Sequence, residues 1–355
     1  MLAPFPYFGG KSRVADVVWR AFGDVPNYVE PFFGSGAVLL ARPHEYERRT
    51  ETVNDADGMI ANYWRATQAE PEAVARWADW PVNEADLHAR HLWLVGQKER
   101  LTERLMAEPE YCDSKAAGWW LWGICQWIGS GWCSGKGPWV NVDGELSKLP
   151  HLGAGRGINR KRPHLGAGRG INRQRPHLGA GRGINRQLPH LGDAGMGTCA
   201  VWSEHLRTIM QELADRLRRV RVCCGDWSRV VGPSPTTKLG LTGVFLDPPY
   251  SERAGRYMGL YSTDDGDVAH AVREWAIANG DNPLLRIALC GYDGEHGMPD
   301  SWLALNWKAR GGYGVQGNGN GRTNAAREVI WFSPHCLPLT TTVNVMPLMS
   351  LEVQP

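Results

Sequence analysis

Residues 28–38 read Tyr28-Val29-Glu30-Pro31-Phe32-Phe33-Gly34-Ser35-Gly36-Ala37-Val38, and the order of residue types in this stretch decides the fold. A strand-like run ends at Tyr28-Val29, a Pro and two Gly interrupt it, and an apolar helix start follows from Ala37 to Ala41. A glycine turn between a strand and a helix lets backbone approach a ligand at the carboxyl end of a sheet. Outward from it, a second run, Thr50 to Val53, ends in Asn54-Asp55 before another helix. Past residue 200 the pattern resumes. It predicts a helix over about 203 to 219 and strands at Val220 to Cys224, Val244 to Leu246, Leu284 to Leu289 and Glu328 to Phe332. Strands alternating with helices predict an α/β, doubly wound domain.

Between the two halves lies a block of different character. Residues 70–108 are rich in Ala, Leu, Glu and Arg at helical spacing. Then come Trp119, Trp120, Trp122, Trp127, Trp132 and Trp139, six of the 17 tryptophans within one short stretch. The first three sit on a helix-like run and are expected in a core, while 129–139 is glycine-rich and expected as loop. Tryptophans beside basic loops also suit stacking on bases. A repeat of period 13 follows: HLGAGRGINRKRP from His151, HLGAGRGINRQRP from His164, HLGAGRGINRQLP from His177, and a diverged HLGDAGMGT from His190. Each copy offers only Leu and Ile for burial, and its Gly and Pro oppose helix and central strand, so a loop-rich arm is expected.

The 355 residues suit one large domain with an insertion, or two domains. With 43% hydrophobic and 21% charged residues, wholesale disorder is excluded. No apolar run is long enough to span a membrane, and MLAPFPYFGGK has neither the basic start nor the apolar core of a signal peptide. Eight cysteines without a Cys-x-x-Cys pair argue against a zinc ribbon or a disulfide scaffold, and point to reduced thiols in an intracellular, cytoplasmic protein. The net charge of +2 conceals an asymmetry. Residues 148–192 hold ten Lys and Arg, mostly Arg, with no Asp or Glu, so the remainder is net acidic. Such a stretch points to a polyanionic partner, with Arg156, Arg160, Arg169, Arg173, Arg182 and Arg186 as candidate phosphate contacts. A solvated arm with no specific role is the competing reading.

Four local signals carry chemistry. Tyr7-Phe8-Gly9-Gly10-Lys11 pairs a permissive backbone with a cation. The turn from Glu30 to Gly36 lacks both the Lys-Ser/Thr of a phosphate loop and the full dinucleotide fingerprint, which makes ATP and NAD poor candidates. Asp55 stands about 20 residues on, where a carboxylate binds ribose hydroxyls. Asp247-Pro248-Pro249-Tyr250 follows the apolar run Val244-Phe245-Leu246. Its prolines hold a rigid extended turn, leaving carbonyls, the Asp247 carboxylate and a flat tyrosine ring to receive an amino group on a planar base. An ordinary Pro-Pro turn capped by a surface Asp is the competing reading.

In this order, FGGK, EPFFGSGAV, Asn-Asp and then DPPY after a long insertion, the sequence resembles the Dam-like family of DNA adenine-N6 methyltransferases. The resemblance covers about residues 7–70 and 200–333. It implies a Rossmann-like methyltransferase sheet, with a catalytic domain over 1–70 and 200–335 and an inserted, loop-rich target-recognition region over 71–199. The basic repeats fall at 151–195, and 336–355 is expected as a tail. It implies S-adenosylmethionine as cofactor. Tyr7 and Lys11 would stand near its methionine end, Glu30, Phe32, Gly34 and Gly36 would form its turn, and Asp55 would hold its ribose. Asp226 and Trp227 would lie near its adenine. Asp247, Pro248 and Tyr250 would be catalytic, acting on an adenine flipped out of duplex DNA, with no metal and no membrane involved. For Arg327-Glu328 the resemblance implies no catalytic role. Cytosine N4 or RNA as substrate, and a non-catalytic DNA-binding protein, stay open, and restriction-modification and bacteriophage settings are both compatible.

Overall fold

Alternate residues along the central strands face opposite ways, and the sequence supplies apolar side chains in both phases, so the strands are buried on both faces. Tyr28, Phe245, Ala288, Cys290, Ile330 and Phe332 join one core, while Val29, Val244, Leu246, Ile287, Leu289, Val329 and Trp331 join a second. A computed structural model describes residues 1, 3–7, 10–43, 49–127, 132–133, 139–142, 145–148, 199–249, 268–307 and 328–339. Its main sheet contains β1 (Asn27–Glu30), β2 (Thr50–Asp55), β5 (Val220–Cys224), β6 (Thr242–Leu246), β7 (Leu285–Tyr292), β8 (Leu303–Trp307) and β9 (Glu328–Phe332), in the order β5-β2-β1-β6-β7-β9-β8. The first five strands in that order run parallel, and β9 is antiparallel to both its neighbours. Chain order reverses between β1 and β6, which opens a crevice at their carboxyl ends.

Helices cover the first face. α1 (Ala15–Phe22) ends where Gly23 takes φ 58, and Trp19 Nε1 donates to the Val38 carbonyl at 2.7 Å, locking α1 to α2 (Ala37–Leu40). α3 (Gly58–Ala69) begins at the Asp57 cap, whose carboxylate accepts the Met59 N–H at 2.9 Å. α4 (Pro71–Ala78), α5 (Glu84–Ala107), α6 (Ser114–Gln126) and α7 (Cys199–Leu217) complete the layer. Leu206, Met210, Leu213 and Leu217 recur at helical spacing on α7 and enter the same core. α8 (Val268–Asn279) places Val272 and Ala276 in the second core. Where the end of α2, β2 and α7 meet, Glu51 accepts Arg42 at 2.8 Å and Arg216 at 2.7 and 3.0 Å, all three side chains buried.

Most expected elements form within a few residues of their predicted bounds. The helical stretch over 70–108 is divided into α4 and α5 around Pro81, and α1, α8 and β8 come without a sequence expectation. Within the inserted region expected as loop-rich over 71–199, residues 71–126 hold α4, α5 and α6, as the helical spacing over 70–108 and the helix-like tryptophan run predict. Val74, Leu87, Leu94, Leu101, Trp120 and Trp122 share the core of the sheet. Trp120, Trp122, Trp127 and Trp132 are core residues, and Trp119 is half-buried against Trp77 and Trp93. Within 129–148, expected as loop at its start, β3 (Trp139–Val142) and β4 (Glu145–Lys148) pair as an antiparallel hairpin. The tail begins with structure, since the Leu337 N–H donates to the Ala21 carbonyl at 2.8 Å. Among the described residues no helix is long and apolar enough to cross a membrane.

Candidate active site

The glycine turn after β1 is built from positive backbone angles. Gly34 takes φ 48 and Gly36 φ 66, a region in which a side chain is strained. Gly34 has a second reason to lack one: an added Cβ would lie 2.7 and 2.8 Å from ring carbons of Tyr7. The ring of the first motif therefore rests on the turn of the second. The Gly34 carbonyl accepts Trp64 Nε1 at 2.9 Å, and its N–H donates to Asp55 Oδ2 at 2.9 Å. Gly36 serves the turn differently. It takes part in the turn through its backbone, and its missing side chain makes room for Phe33 and Trp64.

At the end of β2, Asp55 also accepts the Asp57 N–H at 2.9 Å. Burial, and then the like charge of Asp57, push its carboxyl up to about 7, against the lowering effect of the two N–H donors. Neighbouring Asn54 donates to the carbonyls of Pro31 at 3.1 Å and Gly225 at 2.9 Å, tying the loops after β1 and β5 together. Its Oδ1 is buried, has no protein partner and belongs to a residue lining the crevice. Glu30 closes β1. Its Oε2 accepts the Tyr28 hydroxyl at 2.8 Å, yet burial, helped by the charges of Asp247 and Asp55, holds its carboxyl well above the usual carboxylate range.

β6 delivers Asp247 to the opposite wall, with Pro249 on the lining and Pro248 buried. Lys11 is buried and its ammonium lies 3.0 Å from Asp247 Oδ1, 3.7 Å from Glu328 Oε2 and 5.7 Å from the centre of the Trp307 ring. The cation of the first motif thus meets the carboxylate of the last. Phe32 and Trp227 lie with ring centres 6.2 Å apart and planes inclined by 29°, forming a flat apolar wall. Asp226 accepts the Ser228 N–H at 2.9 Å and caps the short 3-10 turn Trp227–Val230.

One crevice therefore brings together Tyr7, Lys11, Glu30, Phe32, Gly34, Asp55, Asp226, Trp227 and Asp247. Its empty space is about 1080 Å³ when open solvent at the mouth is counted. Tyr250 and the arm residues Arg156, Arg160, Arg169, Arg173, Arg182 and Arg186 lie outside the described residues. Sequence reasoning does not single out Asp57, Phe245 or Val268 on the lining, nor Glu328 and Trp307 behind Lys11. Asp57 is legible as a cap before a helix; the others carry no local signal.

The lining has a chemical sign. Glu30, Asp55, Asp57, Asp226 and Asp247 face a space in which Lys11 is the cation among the described residues, and Lys11 is engaged with two carboxylates. Such a space repels phosphates and suits a ligand carrying positive charge, hydroxyl donors and a flat ring. The orphaned Asn54 oxygen adds an acceptor for a donor on that ligand.

Residues 7–91 match the family model described as D12 class N6 adenine-specific DNA methyltransferase. The match covers the Tyr7 to Lys11 motif, the glycine turn and Asp55, and extends through α4 into α5. No curated protein sequence matches the chain.

Proposed function

We propose that the chain is a D12 class N6 adenine-specific DNA methyltransferase, a reading supported by the match of residues 7–91, and that its crevice performs the reaction. Enzymes of this family methylate adenine N6 in DNA, and they generally use S-adenosylmethionine. The observation that carries the reading is the acidic crevice at the β1/β6 reversal, with Asp247 on one wall and the glycine turn on the other.

S-adenosylmethionine fits that crevice by charge and shape, and when bound it supplies an electrophilic methyl on a sulfonium. Asp55 would accept its ribose hydroxyls with the lone pairs left after the Gly34 and Asp57 N–H groups. Glu30 would face its positive charge, which favours the ionised carboxylate that burial otherwise opposes. Phe32 and Trp227 would pack on its base, and Tyr7 and Gly34 would close over its narrow part.

The substrate amine is a weak nucleophile, because its lone pair is delocalised into the purine. Asp247 and the Pro248 carbonyl accept its two hydrogens, drawing the nitrogen toward a tetrahedral geometry, and Tyr250 stacks on the flipped ring. The nitrogen lone pair would form the new bond to the methyl carbon as the carbon–sulfur bond breaks to leave S-adenosylhomocysteine, and the proton then lost from nitrogen would leave through the partly exposed Asp247 carboxylate to solvent. A base inside a duplex cannot reach this crevice, so flipping is part of the reading. The basic arm supplies phosphate contacts, and the free thiols of the described cysteines suit a reducing compartment such as the cytoplasm.

The test is nucleoside mass spectrometry on DNA from methylation-deficient cells expressing the wild type or Asp247→Ala. N6-methyladenine with the wild type alone is the expected result, with cofactor affinity of the variant preserved within about threefold, since Asp247 acts on the amine. N4-methylcytosine would keep the mechanism and change the base. No modified base from soluble wild-type protein would overturn the reading.

A further inference from the structure

Glu328 opens β9, and β9 is antiparallel to both its neighbours. Its first residue therefore lies level with the last residues beside it, Tyr292 of β7 and Trp307 of β8. The start of the last strand thereby delivers a carboxylate to the same end of the sheet as Asp247. Both Glu328 and Lys11 are 4% exposed. A buried ammonium and a buried carboxylate are each costly alone, and each is tolerated here because the other stands 3.7 Å away. Asp247 is different: its side chain keeps 21% of its exposure and lines the crevice. In the chain Glu328, Lys11, Asp247, two members are hidden and the third faces the ligand.

We infer that Glu328 and Lys11 are positioning residues for methyl transfer: Glu328 anchors the Lys11 ammonium, and the ammonium, paired with Asp247 Oδ1, fixes the orientation in which the Asp247 carboxylate accepts a hydrogen of the substrate amine. This deepens the reading above and rests on it. It gives Lys11 a task at the reacting amine, where the family resemblance implies one at the methionine end of the cofactor. Among the described residues, the groups near Asp247 include Lys11 from the N-terminal segment, Glu30 from β1, Cys290 from β7 and, through Lys11, Glu328 from β9. The ammonium pairs with Asp247 at 3.0 Å, and a carboxylate held in place by such a pair is a well-directed acceptor.

The test combines three readouts on the full chain. The first is turnover on duplex DNA for wild type, Lys11→Met, Lys11→Arg and Glu328→Gln. The second is affinity for S-adenosylhomocysteine by calorimetry. The third is the titration of the Asp247 carboxyl carbon by NMR, its signal identified with Asp247→Asn. Lys11→Met is expected to lose about 100-fold in kcat, the scale of a misplaced catalytic group, while keeping ligand affinity within about threefold. Its Asp247 titration should move up by about one pH unit or more once the ammonium is gone. Lys11→Arg keeps the cation and should return the titration to its wild-type position. Glu328→Gln should lower kcat about tenfold without raising the titration, because the cation remains but its anchor is weakened. Equal losses of affinity and kcat in Lys11→Met with an unmoved Asp247 titration would return Lys11 to a cofactor contact and overturn the inference alone. A wild type that makes no N6-methyladenine would overturn the methyltransferase reading, and the positioning role with it.

Discussion

The Lys11 ammonium lies 3.0 Å from Asp247 Oδ1, joining the motif that opens the chain to the Asp-Pro-Pro turn after β6. The two residues are far apart in sequence, and what brings them together is the reversal of strand order between β1 and β6. Both sides of the crevice are therefore fixed by one contact, and changes on either side should be felt on the other.

Cofactor binding should depend on pH through Asp55. Its carboxyl is pushed up to about 7 by burial, so in the free protein it takes up a proton as pH falls through neutrality. Ribose hydroxyls donate to the ionised form, hence affinity for S-adenosylhomocysteine is expected to rise between about pH 6 and 8. Asp55→Asn should bind about tenfold more weakly, for want of the charged acceptor, with the slope abolished. The linkage for stability has the opposite sense. The folded state holds a proton that the unfolded chain releases near 3.8, so the stability associated with Asp55 falls as pH rises from about 4 to 7. Calorimetry across that range checks both, and a flat wild-type affinity would contradict the assignment.

Gly34→Ala should lose cofactor binding through two separable causes. Alanine at φ 48 costs about 1 kcal/mol or somewhat more, and its methyl would press on the Tyr7 ring. Removing the ring relieves only the second. In a double-mutant cycle, Tyr7→Ala placed on Gly34→Ala should therefore cost less stability than it does alone. Strict additivity would show that Tyr7 does not lie on the turn in solution.

Glu51→Ala should destabilise the protein by about 3–5 kcal/mol, because it strands the buried Arg42 and Arg216 guanidiniums without their shared carboxylate. No residue of this triad lines the crevice, so ligand affinity of the folded fraction should be unchanged. Urea melts followed by tryptophan fluorescence measure the first, and calorimetry below the transition the second. A loss under about 1 kcal/mol would mean that the arginines find other partners.

Deleting residues 151–189 should flatten the salt dependence of DNA binding. Each phosphate that the arm no longer neutralises takes about 0.9 from the log–log slope of affinity against salt. Filter binding at several salt concentrations gives the slope directly, and an unchanged slope would leave the arm without a role on DNA.

How far the sequence is legible varies with the kind of information each element carries. β5 and β9 can be bounded from sequence because Val220 to Cys224 and Glu328 to Phe332 are compact apolar or β-branched runs between polar segments. β8 escapes such a reading because Leu303–Trp307 is a half-exposed edge strand whose alternation is weak. The block after residue 70 is legible in part: the helical spacing over 70–108 and the helix-like run at Trp119 to Trp122 correspond to α4, α5 and α6, but α6 buries nearly its whole circumference and shows no amphipathic stripe that would say how it packs. The motif assigns Gly36 to the cofactor, although its backbone angle and the nearby Phe33 and Trp64 rings explain it without one.

Sequence alone determined the alternation of strands and helices, the glycine turn, and many of the groups that line the crevice, though not Asp57, Phe245 or Val268. These follow from local properties: the period of apolar side chains, the freedom of glycine, and the acidity of particular residues. Only the tertiary structure decided which charges meet. Whether Lys11 serves a cofactor or Asp247, and whether Glu328 is a plain strand residue or part of the site, depends on strand order and on the reversed direction of β9. The interaction of two charges depends on their separation and burial, and neither quantity exists until the chain has folded.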